Sequence, residues 1–252
     1  MVKAGPGQTR TTVDPEEVAR FAAFAGEWWS RRGKMRALHK FNPVRLAFIR
    51  DHACTQFRRD PKALDSLKGL RLLDVGCGGG ILAEPLARLG ADVVGIDPAE
   101  ENVAAARAHA AESGLAIDYR TATAEALADA SERFDVVIAS EVVEHVTDVG
   151  SFVRRSGEMV KPGGLLIVTT INRTLKSFGL VIVAAEYIMR WLPIGTHRWD
   201  KFVAPDELEA AVAAAGLAVI DCKGAIYDIF ADEWRQGRDT DVNYMMAAER
   251  PA

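Results

Sequence analysis

A cluster of small residues, GCGGG at positions 76–80, interrupts an otherwise apolar stretch of the chain. Glycines permit positive φ and let a ligand approach the backbone closely, so a glycine turn between a strand and a helix is typical of a cofactor site. Asp97 ends the next apolar run, 21 residues after Gly76. A carboxylate at that place can accept hydrogen bonds from both hydroxyls of a ribose. Together these residues predict a site for a nucleoside-bearing cofactor; a turn that serves only packing is the alternative.

A second set of reactive side chains consists of Glu141, Glu144 and His145. Spacing of three and four residues brings such side chains to one side of a helical turn. Two carboxylates and an imidazole can hold a hard divalent cation such as Mg²⁺. His145 can instead be a general base, because the reference pKa of histidine lies near neutrality. A capping acid on a solvated helix face is the third interpretation, and the spacing leaves all three open.

The elements around these residues alternate between short apolar runs and helical patterns, which indicates βαβ units and a parallel sheet. A continuously apolar run such as 136–138 is typical of a parallel strand buried on both faces. The predicted strands are 70–75, 93–96, 117–120, 134–139, 165–170, 217–222 and 242–247, and the predicted helices between them are 81–89, 99–112, 149–160 and 206–215.

Helical patterns also precede the first strand. They begin at Asp14-Pro15 and again at Asn42-Pro43, where a capping side chain stands before proline. One domain fits the whole pattern better than two. Its predicted parts are N-terminal helices over 14–68, a cofactor-binding core over 70–171, a substrate- or membrane-facing insertion over 172–200 and the C-terminal part of the sheet over 201–252.

Composition narrows the functional classes. The 252 residues are 49% hydrophobic and 26% charged, which is typical of a globular protein. A net charge of −4 argues against general nucleic-acid binding. The chain has three cysteines and no CxxC pair, which argues against a zinc site or a disulfide framework. Reduced thiols in a reducing compartment are the simplest interpretation. With no apolar leader or membrane span in the pattern, we expect a cytoplasmic protein.

The glycine loop departs from the pattern that binds dinucleotides. That pattern, G-x-G-x-x-G, requires a third glycine where this chain has Ile81. A nicotinamide-dependent oxidoreductase is therefore the weaker alternative. The run DVGCGGG at 74–80 instead resembles motif I of the class I S-adenosylmethionine-dependent methyltransferases, in which an acid beside the loop, here Asp74, faces the amino-acid end of the cofactor.

Other motifs make this resemblance more specific. Residues 123–125 stand where these enzymes place a loop against adenine, and FDVVIAS at 134–140 is similar to their fourth strand. A narrower resemblance, covering residues 14–248, is to the ubiquinone-biosynthesis O-methyltransferase family (3-demethylubiquinol 3-O-methyltransferases). The motifs that carry it are LHKFNPVR at 38–45, DVGCGGGIL at 74–82, EVVEH at 141–145, GTH at 195–197 and DVNYM at 241–245.

The resemblance implies a Rossmann-like α/β sheet of seven strands, the last antiparallel, with an N-terminal helical extension. It implies S-adenosyl-L-methionine-dependent O-methylation of polyprenyl catechols, 2-polyprenyl-6-hydroxyphenol and 3-demethylubiquinol, in ubiquinone biosynthesis; another small phenolic acceptor is the alternative. The implied cofactor-binding residues are Arg45, Gly76, Gly78, Asp97, Ala124 and Ser140, the last being often Met in the family. The implied ligands of a divalent ion such as Mg²⁺ are Glu141, Glu144 and His145, and the implied catalytic residues are His145 and Glu144.

The most apolar segment, 178–192, is interrupted by Glu186 and Arg190 and is too short to span a membrane. It is either an ordinary packed helix or an interfacial helix that touches lipid. Because the implied substrate resides in the bilayer, the resemblance favours membrane-surface contact through 176–198, at the inner face of the membrane. It also implies a place in a ubiquinone-biosynthesis protein complex. Trp28 and Trp29 either cover the cleft or belong to the core.

A third hypothesis is a non-catalytic member of such a complex, which would bind lipid without turnover. The intact glycine loop, Asp97 and the run 141–145 argue against it.

Overall fold

The computed structural model describes residues 11–30, 33, 35–182 and 198–252. The predicted motif at 195–197 and most of the apolar segment 178–192 therefore lie outside the described residues.

The described strands form one sheet. They are β1 (Arg71–Val75), β2 (Asp92–Asp97), β3 (Asp118–Thr121), β4 (Phe134–Ser140), β5 (Val160–Ile171), β6 (Ala218–Asp228), β7 (Glu233–Gly237) and β8 (Asn243–Glu249). Their order in the sheet is β3-β2-β1-β4-β5-β8-β6-β7. The first five are parallel, and β8 is antiparallel to both β5 and β6. The predicted α/β class and antiparallel last strand are confirmed.

The strand count differs from the prediction of seven. The additional strand, β7, pairs antiparallel with β6 in a hairpin at the edge of the sheet. Its sequence, EWRQG, is mostly polar and therefore lacks the apolar run that marked the other strands. One aromatic residue of β7 packs against α2: the centroid of the Trp234 ring lies 4.7 Å from the centroid of the Phe41 ring.

Helices cover both faces of the sheet. They are α1 (Pro15–Ala22), α2 (Arg36–Gln56), α3 (Ala83–Arg88), α4 (Glu100–Glu112), α5 (Ala124–Asp129), α6 (Val149–Glu158), the one-turn α7 (Leu175–Ser177) and α8 (Pro205–Ala214). None of the described helices is both long and apolar enough to cross a membrane.

The central strands are buried on both faces, as their apolar runs predict. Successive side chains of a strand point to opposite faces, so neighbours in β1 enter different cores. Leu72 packs in the core under α2, α3 and α4, whereas Leu73 packs in the core under α5, α6 and α8.

Helix α2 corrects the prediction of a helix start at Asn42-Pro43. The helix runs from Arg36 to Gln56 with Pro43 inside it. The Asn42 side chain does not cap a helix, because its Nδ2 donates to the carbonyl of Ile81 (2.9 Å) and its Oδ1 accepts from Arg45 (3.0 Å). The local sequence is typical of a helix cap, but the amide atoms of Asn42 are hydrogen-bonded to Ile81 and to Arg45 instead.

Candidate active site

A cavity of about 710 Å³ opens at the carboxyl ends of the parallel strands. In the sheet, β1 lies between β2 and β4, with Val75 paired to Ile96 on one side and Ala139 on the other. Connections from these strands diverge to opposite faces, which leaves a crevice where α/β proteins bind their ligands. The strand order therefore places the glycine loop, Asp97 and Ser140 around one space.

The glycine loop forms the floor of the cavity. Gly76 and Gly78 have φ of 71° and 52°, a left-handed conformation that glycine adopts without strain. The backbone N–H groups of Gly76 and Cys77 both donate to the carbonyl of Ile96, at 2.8 and 2.9 Å. A Cβ on Gly78 or Gly79 would overlap the Trp28 ring, which lies directly on the loop. The glycines thus allow the left-handed backbone conformation of the loop and leave room for the Trp28 ring.

Asp97 lies at the end of β2 with its carboxylate held by three donors. Oδ2 accepts from the backbone N–H of Gly78 (3.0 Å), and Oδ1 accepts from the N–H of Ala99 (2.9 Å) and from Asn102 (3.2 Å). Burial raises the pKa of Asp97, and these hydrogen bonds oppose that effect. A carboxylate has about four lone-pair sites, so it can accept further hydroxyl donors from a ligand in the cavity.

Asp74 and Arg45 are two buried ionisable residues that line the cavity. Burial raises the pKa of Asp74 to about 7, although the positive charge of Arg45 acts in the opposite direction. The Oδ2 atom of Asp74 has no hydrogen-bond partner among the described residues. A buried acceptor without a donor is costly, so this atom is suited to a donor or a cation brought by a ligand.

Arg45 also connects the two sides of the cavity. Its Nη1 donates to Ser140 Oγ (2.8 Å), and Ser140 Oγ lies 2.8 Å from Thr169 Oγ1. Thr169 in turn donates to Glu141 Oε1 (2.7 Å). Ser140 is therefore the centre of a hydrogen-bonded chain from α2 to the segment after β4.

All six residues predicted to bind the cofactor line this one cavity. They are Arg45, Gly76, Gly78, Asp97, Ala124 and Ser140. Ala124 is the first residue of α5, and the Thr123 side chain caps this helix. Their roles stay predictions, but their convergence from five elements supports them.

The acidic segment after β4 differs from the expected helical turn. Glu141 has a left-handed φ of 57°, and only Val143–His145 form a single turn of 3-10 helix. Glu144 is 2% exposed and does not line the cavity; its Oε2 accepts from Thr170 (2.8 Å) in β5. Burial and the nearby Glu141 raise the pKa of Glu144 well above its ordinary range. The predicted catalytic role of Glu144 gains no support from this placement.

The expected convergence of Glu141, Glu144 and His145 on a divalent ion is not found. Each side chain has a different protein partner: Thr169 donates to Glu141, Thr170 donates to Glu144, and His145 pairs with Glu17. Among the described residues, no group of three His, Cys, Asp or Glu is arranged to hold a metal ion. These three residues therefore do not fit an Mg²⁺ site in this arrangement.

His145 does line the cavity, and its partner is a residue that the sequence did not single out. Its Nδ1 lies 2.9 Å from Oε2 of Glu17 in α1, and the edge of the Phe21 ring packs against it with centroids 5.0 Å apart. Burial acts to raise the pKa of Glu17, but the contacts with His145 and Arg20 outweigh it and lower this pKa to about 2. In the sequence, Glu17 had the ordinary appearance of an acid in the first turn of a helix.

The segment 12–29 forms a cap over the cavity. Thr12 donates from its N–H (2.8 Å) and its hydroxyl (2.6 Å) to Oε1 of Glu125, and its carbonyl accepts from the N–H of Thr147 (2.9 Å). Lys201 donates to Asp14 at the start of α1 (2.8 Å). These contacts tie the cap to α5, to the segment before α6 and to Lys201. Trp28 lines the cavity and also packs with Met35 and Ile81 in a small buried cluster, so the alternatives of cleft cover and core both stay open.

Apolar side chains form the rest of the wall away from the glycine loop. They come from the cap, from the segment after β5 and from the β6–β7 hairpin; examples are Val18, Phe21, Phe24, Leu180, Ile226 and Trp234. The cavity thus has a polar half at the ends of β1 and β2 and an apolar half lined by these side chains, with the polar His145–Glu17 pair beside Phe21.

Comparison with known proteins identifies the family of this chain. A family model described as a methyltransferase domain matches residues 28–221. A ubiquinone biosynthesis O-methyltransferase of Brucella anthropi is 59% identical over 243 residues, covering 96% of this chain and 98% of the relative. The enzyme of the same name from a Chelativorans species is 58% identical, covering 98% of this chain and 97% of the relative.

Solved structures show the same fold at low identity. Magnesium protoporphyrin IX methyltransferase from Synechocystis, with S-adenosylmethionine bound, is 15% identical with a TM-score of 0.61, covering 96% of this chain and 100% of that one. A possible histamine N-methyltransferase from Thermotoga maritima is 18% identical, also with a TM-score of 0.61, covering 93% and 99%. The predicted fold class and the methyltransferase hypothesis are confirmed, and the oxidoreductase alternative is set aside.

Proposed function

Because this chain belongs to the family of ubiquinone biosynthesis O-methyltransferases, which depend on S-adenosylmethionine, we propose that its own acceptor is a polyprenyl catechol. The observation that carries the proposal is the continuity of one cavity, which is polar around Asp97 and, apart from the His145–Glu17 pair, apolar on the side of Leu180 and Ile226. A catechol with a polyprenyl tail has the same division, since its two hydroxyls are polar and its tail is a hydrocarbon.

The polar half suits the cofactor. S-adenosylmethionine, when bound, supplies a methyl group on a positively charged sulfonium, together with an adenosine and an amino-acid end. Asp97 has the charge and the remaining lone pairs to accept the ribose hydroxyls. Asp74, with an unpartnered buried oxygen, suits the cationic amino-acid end. Ala124, at the start of α5, forms the wall on the side proposed for adenine.

His145 is the proposed general base. A phenol has a pKa of about 10 and is a weak nucleophile until its proton is removed. Glu17 is ionised at neutral pH and accepts only. When His145 is in its neutral form, its Nδ1 therefore carries the proton that Glu17 accepts and its Nε2 carries the lone pair. The imidazole is thereby held in the tautomer that accepts a proton from the acceptor hydroxyl, and Glu17 stabilises the imidazolium that results.

The apolar half is proposed to hold the aromatic ring and the start of the tail. Phe21 fixes one side of His145, and Leu180 with Ile226 extends the apolar wall toward the outside. Burial of the ring beside His145 excludes water and brings the acceptor oxygen and the methyl donor into one enclosed space, which lowers the entropic cost of reaction.

The polyprenyl tail is proposed to enter the cavity from a membrane surface that the protein contacts. Of the segment 176–198, the structure describes residues 176–182 and 198. Apolar side chains of this part and of α7 are exposed: Leu175 is 84%, Phe178 43% and Leu180 48% exposed. Exposed apolar residues beside a cavity mouth are typical of an interaction surface. Peripheral attachment and assembly with other ubiquinone-biosynthesis proteins stay predictions.

Vesicle flotation tests this surface. Leu175→Asp with Phe178→Asp should reduce co-flotation with phospholipid vesicles, whereas Leu64→Asp, a change at another highly exposed apolar residue (90%), should not. Equal flotation of all three proteins would contradict membrane contact through this segment.

The reaction itself is tested with labelled S-adenosylmethionine and a short-tailed polyprenyl catechol, in the presence of Mg²⁺ and of a chelator. Transfer in both conditions would support His145 as the base. Loss with the chelator and recovery with Mg²⁺ would restore the divalent-ion hypothesis, with a rearranged segment 141–145. Absence of transfer in both conditions, with S-adenosylhomocysteine shown to bind, would contradict the proposed acceptor.

A further inference from the structure

A chain of two hydrogen bonds links the cap to Asp97. The indole Nε1–H of Trp28 donates to Asn102 Oδ1 (2.8 Å), and Asn102 Nδ2 donates to Asp97 Oδ1 (3.2 Å). All three side chains are buried, with 8%, 1% and 7% exposure respectively. The chain therefore runs through the interior of the protein, where water does not compete for these groups.

The chemistry of its two ends fixes the orientation of the Asn102 amide. An indole N–H only donates and an ionised carboxylate only accepts, so the amide oxygen must face Trp28 and its NH₂ must face Asp97. Removal of the indole N–H would leave the oxygen unpaired in a buried place and would allow the amide to turn. The hydrogen bond from Asn102 to Asp97 thus depends on the position of Trp28.

Trp28 belongs to the cap and not to the sheet. Its ring lies on Gly78 and Gly79, and its carbonyl accepts from His39 Nε2 (2.8 Å). Trp29 lies beside it but has different partners, because its indole donates to the carbonyl of Gly79 (2.8 Å) and its ring stacks on His109 at 3.4 Å. Only the first of these two tryptophans bonds to the residue that holds Asp97.

We infer that Asn102 is a positioning residue for the ribose of the cofactor, and that Trp28 makes this positioning depend on the docked cap. The inference rests on the proposed function, in which Asp97 accepts the ribose hydroxyls. It assigns to the cap a role in cofactor affinity as well as in covering the cleft. Coupling of this kind is reciprocal, so the bound cofactor must hold the cap in place by the same factor.

The test compares two ligands that differ only in the ribose. Binding of S-adenosylhomocysteine and of its 2′,3′-dideoxy analogue is measured by calorimetry on the full chain. Wild type should bind the dideoxy analogue more weakly. Asn102→Ala should weaken S-adenosylhomocysteine about tenfold, since a hydrogen bond to a charged group is lost. The same variant should change the affinity of the dideoxy analogue less than about twofold.

Matched tryptophan variants separate the hydrogen bond from packing. Trp28→Phe keeps a ring over the glycines and removes the indole N–H, so it should weaken S-adenosylhomocysteine about threefold to tenfold with little effect on the dideoxy analogue. Trp29→Phe makes the same exchange one residue later and should affect the two ligands equally. Trp28→Phe also keeps the test decisive if Asn102→Ala does not fold.

A second readout follows the cap itself. Hydrogen exchange of the backbone amides in 15–29 should slow when S-adenosylhomocysteine binds to wild type, and this slowing should be smaller in Asn102→Ala. Equal losses for both ligands, or no loss in either variant, would overturn the inference while leaving the proposed function intact. A wild type that does not discriminate between the ligands would overturn the ribose assignment of Asp97 and the inference with it.

Discussion

The ends of β2 and β4 lie around the same cavity but are built in different ways. At the end of β2, Asp97 is held by Gly78, Ala99 and Asn102, all of them within 19 residues in the sequence. At the end of β4, His145 is held by Glu17, which is 128 residues away. The first arrangement depends on a local motif, and the second depends on where a separate helix packs.

This difference explains why one half of the site could be recognised and the other was partly misjudged. A local motif carries its partners with it, so the glycine loop and Asp97 predict each other. The segment 141–145 carries three reactive side chains, but distant residues decide which of them reaches the cavity: Glu17 contacts His145, and Thr170 contacts Glu144. Substitutions that alter one strand end at a time therefore distinguish the roles of the two ends.

The largest effect is expected for His145→Gln. Glutamine retains an amide N–H for Glu17 but cannot accept the phenolic proton, so kcat for methyl transfer should fall by about 10²–10⁴-fold. The affinity for S-adenosylhomocysteine should remain within about twofold, because the change is at the β4 end. Turnover and calorimetry together check both statements.

His52→Gln is the matched control for this variant. His52 contacts Asp221 and the carbonyl of Phe48 and does not line the cavity, so its replacement should leave kcat unchanged. A His145→Gln enzyme with nearly normal turnover would exclude His145 as the base.

The second effect is expected for Asp97→Ala, at the β2 end. Loss of the charged acceptor of two ribose hydroxyls should weaken S-adenosylhomocysteine by about 100-fold. Asp92→Ala, at the exposed start of the same strand, is the control and should bind normally. Near-normal affinity of the Asp97 variant in calorimetry would refute the ribose assignment.

A smaller effect is expected from pH. The pKa of Asp74 is raised to about 7, so this carboxyl is protonated below that pH in the free protein. The cationic amino-acid end of the ligand favours the ionised form, and binding must therefore release a proton. Affinity for S-adenosylhomocysteine should rise about tenfold between pH 6 and pH 8.

Asp74→Asn should remove this dependence, since the amide does not titrate. Calorimetry in buffers of different ionisation enthalpy measures the released proton directly. An unchanged slope in the variant would place the titrating group elsewhere.

The smallest effect is expected for Glu144→Gln. Burial raises the pKa of Glu144 and so favours its neutral form, which glutamine resembles in shape and charge. Turnover should change by less than about threefold, and Thr170 should keep its acceptor. A much larger loss, accompanied by a requirement for Mg²⁺, would mean that Glu144 reaches the active site in another arrangement of the segment 141–145.

Much of the fold was predictable because its signals are local. The apolar runs around residues 72–75 and 136–139 predicted buried parallel strands, and the structure places them side by side. The hairpin strand β7 was missed because its sequence is polar, and the continuous helix α2 was missed because Asn42-Pro43 resembles a helix start. In both cases tertiary contacts, Trp234 on Phe41 and Asn42 on Ile81, replaced the local preference.

Local patterns in the sequence were sufficient to predict the α/β class, the glycine loop and the residues that line the cofactor half of the cavity. They were sufficient because strand periodicity, glycine conformations and the spacing from Gly76 to Asp97 are properties of short segments. Only the tertiary structure decided that Glu17 holds His145, that Trp28 reaches Asp97 through Asn102, and that Glu144 is buried away from the cavity. Burial and hydrogen-bond partners come from elements far apart in the chain, and no local pattern encodes which of them meet.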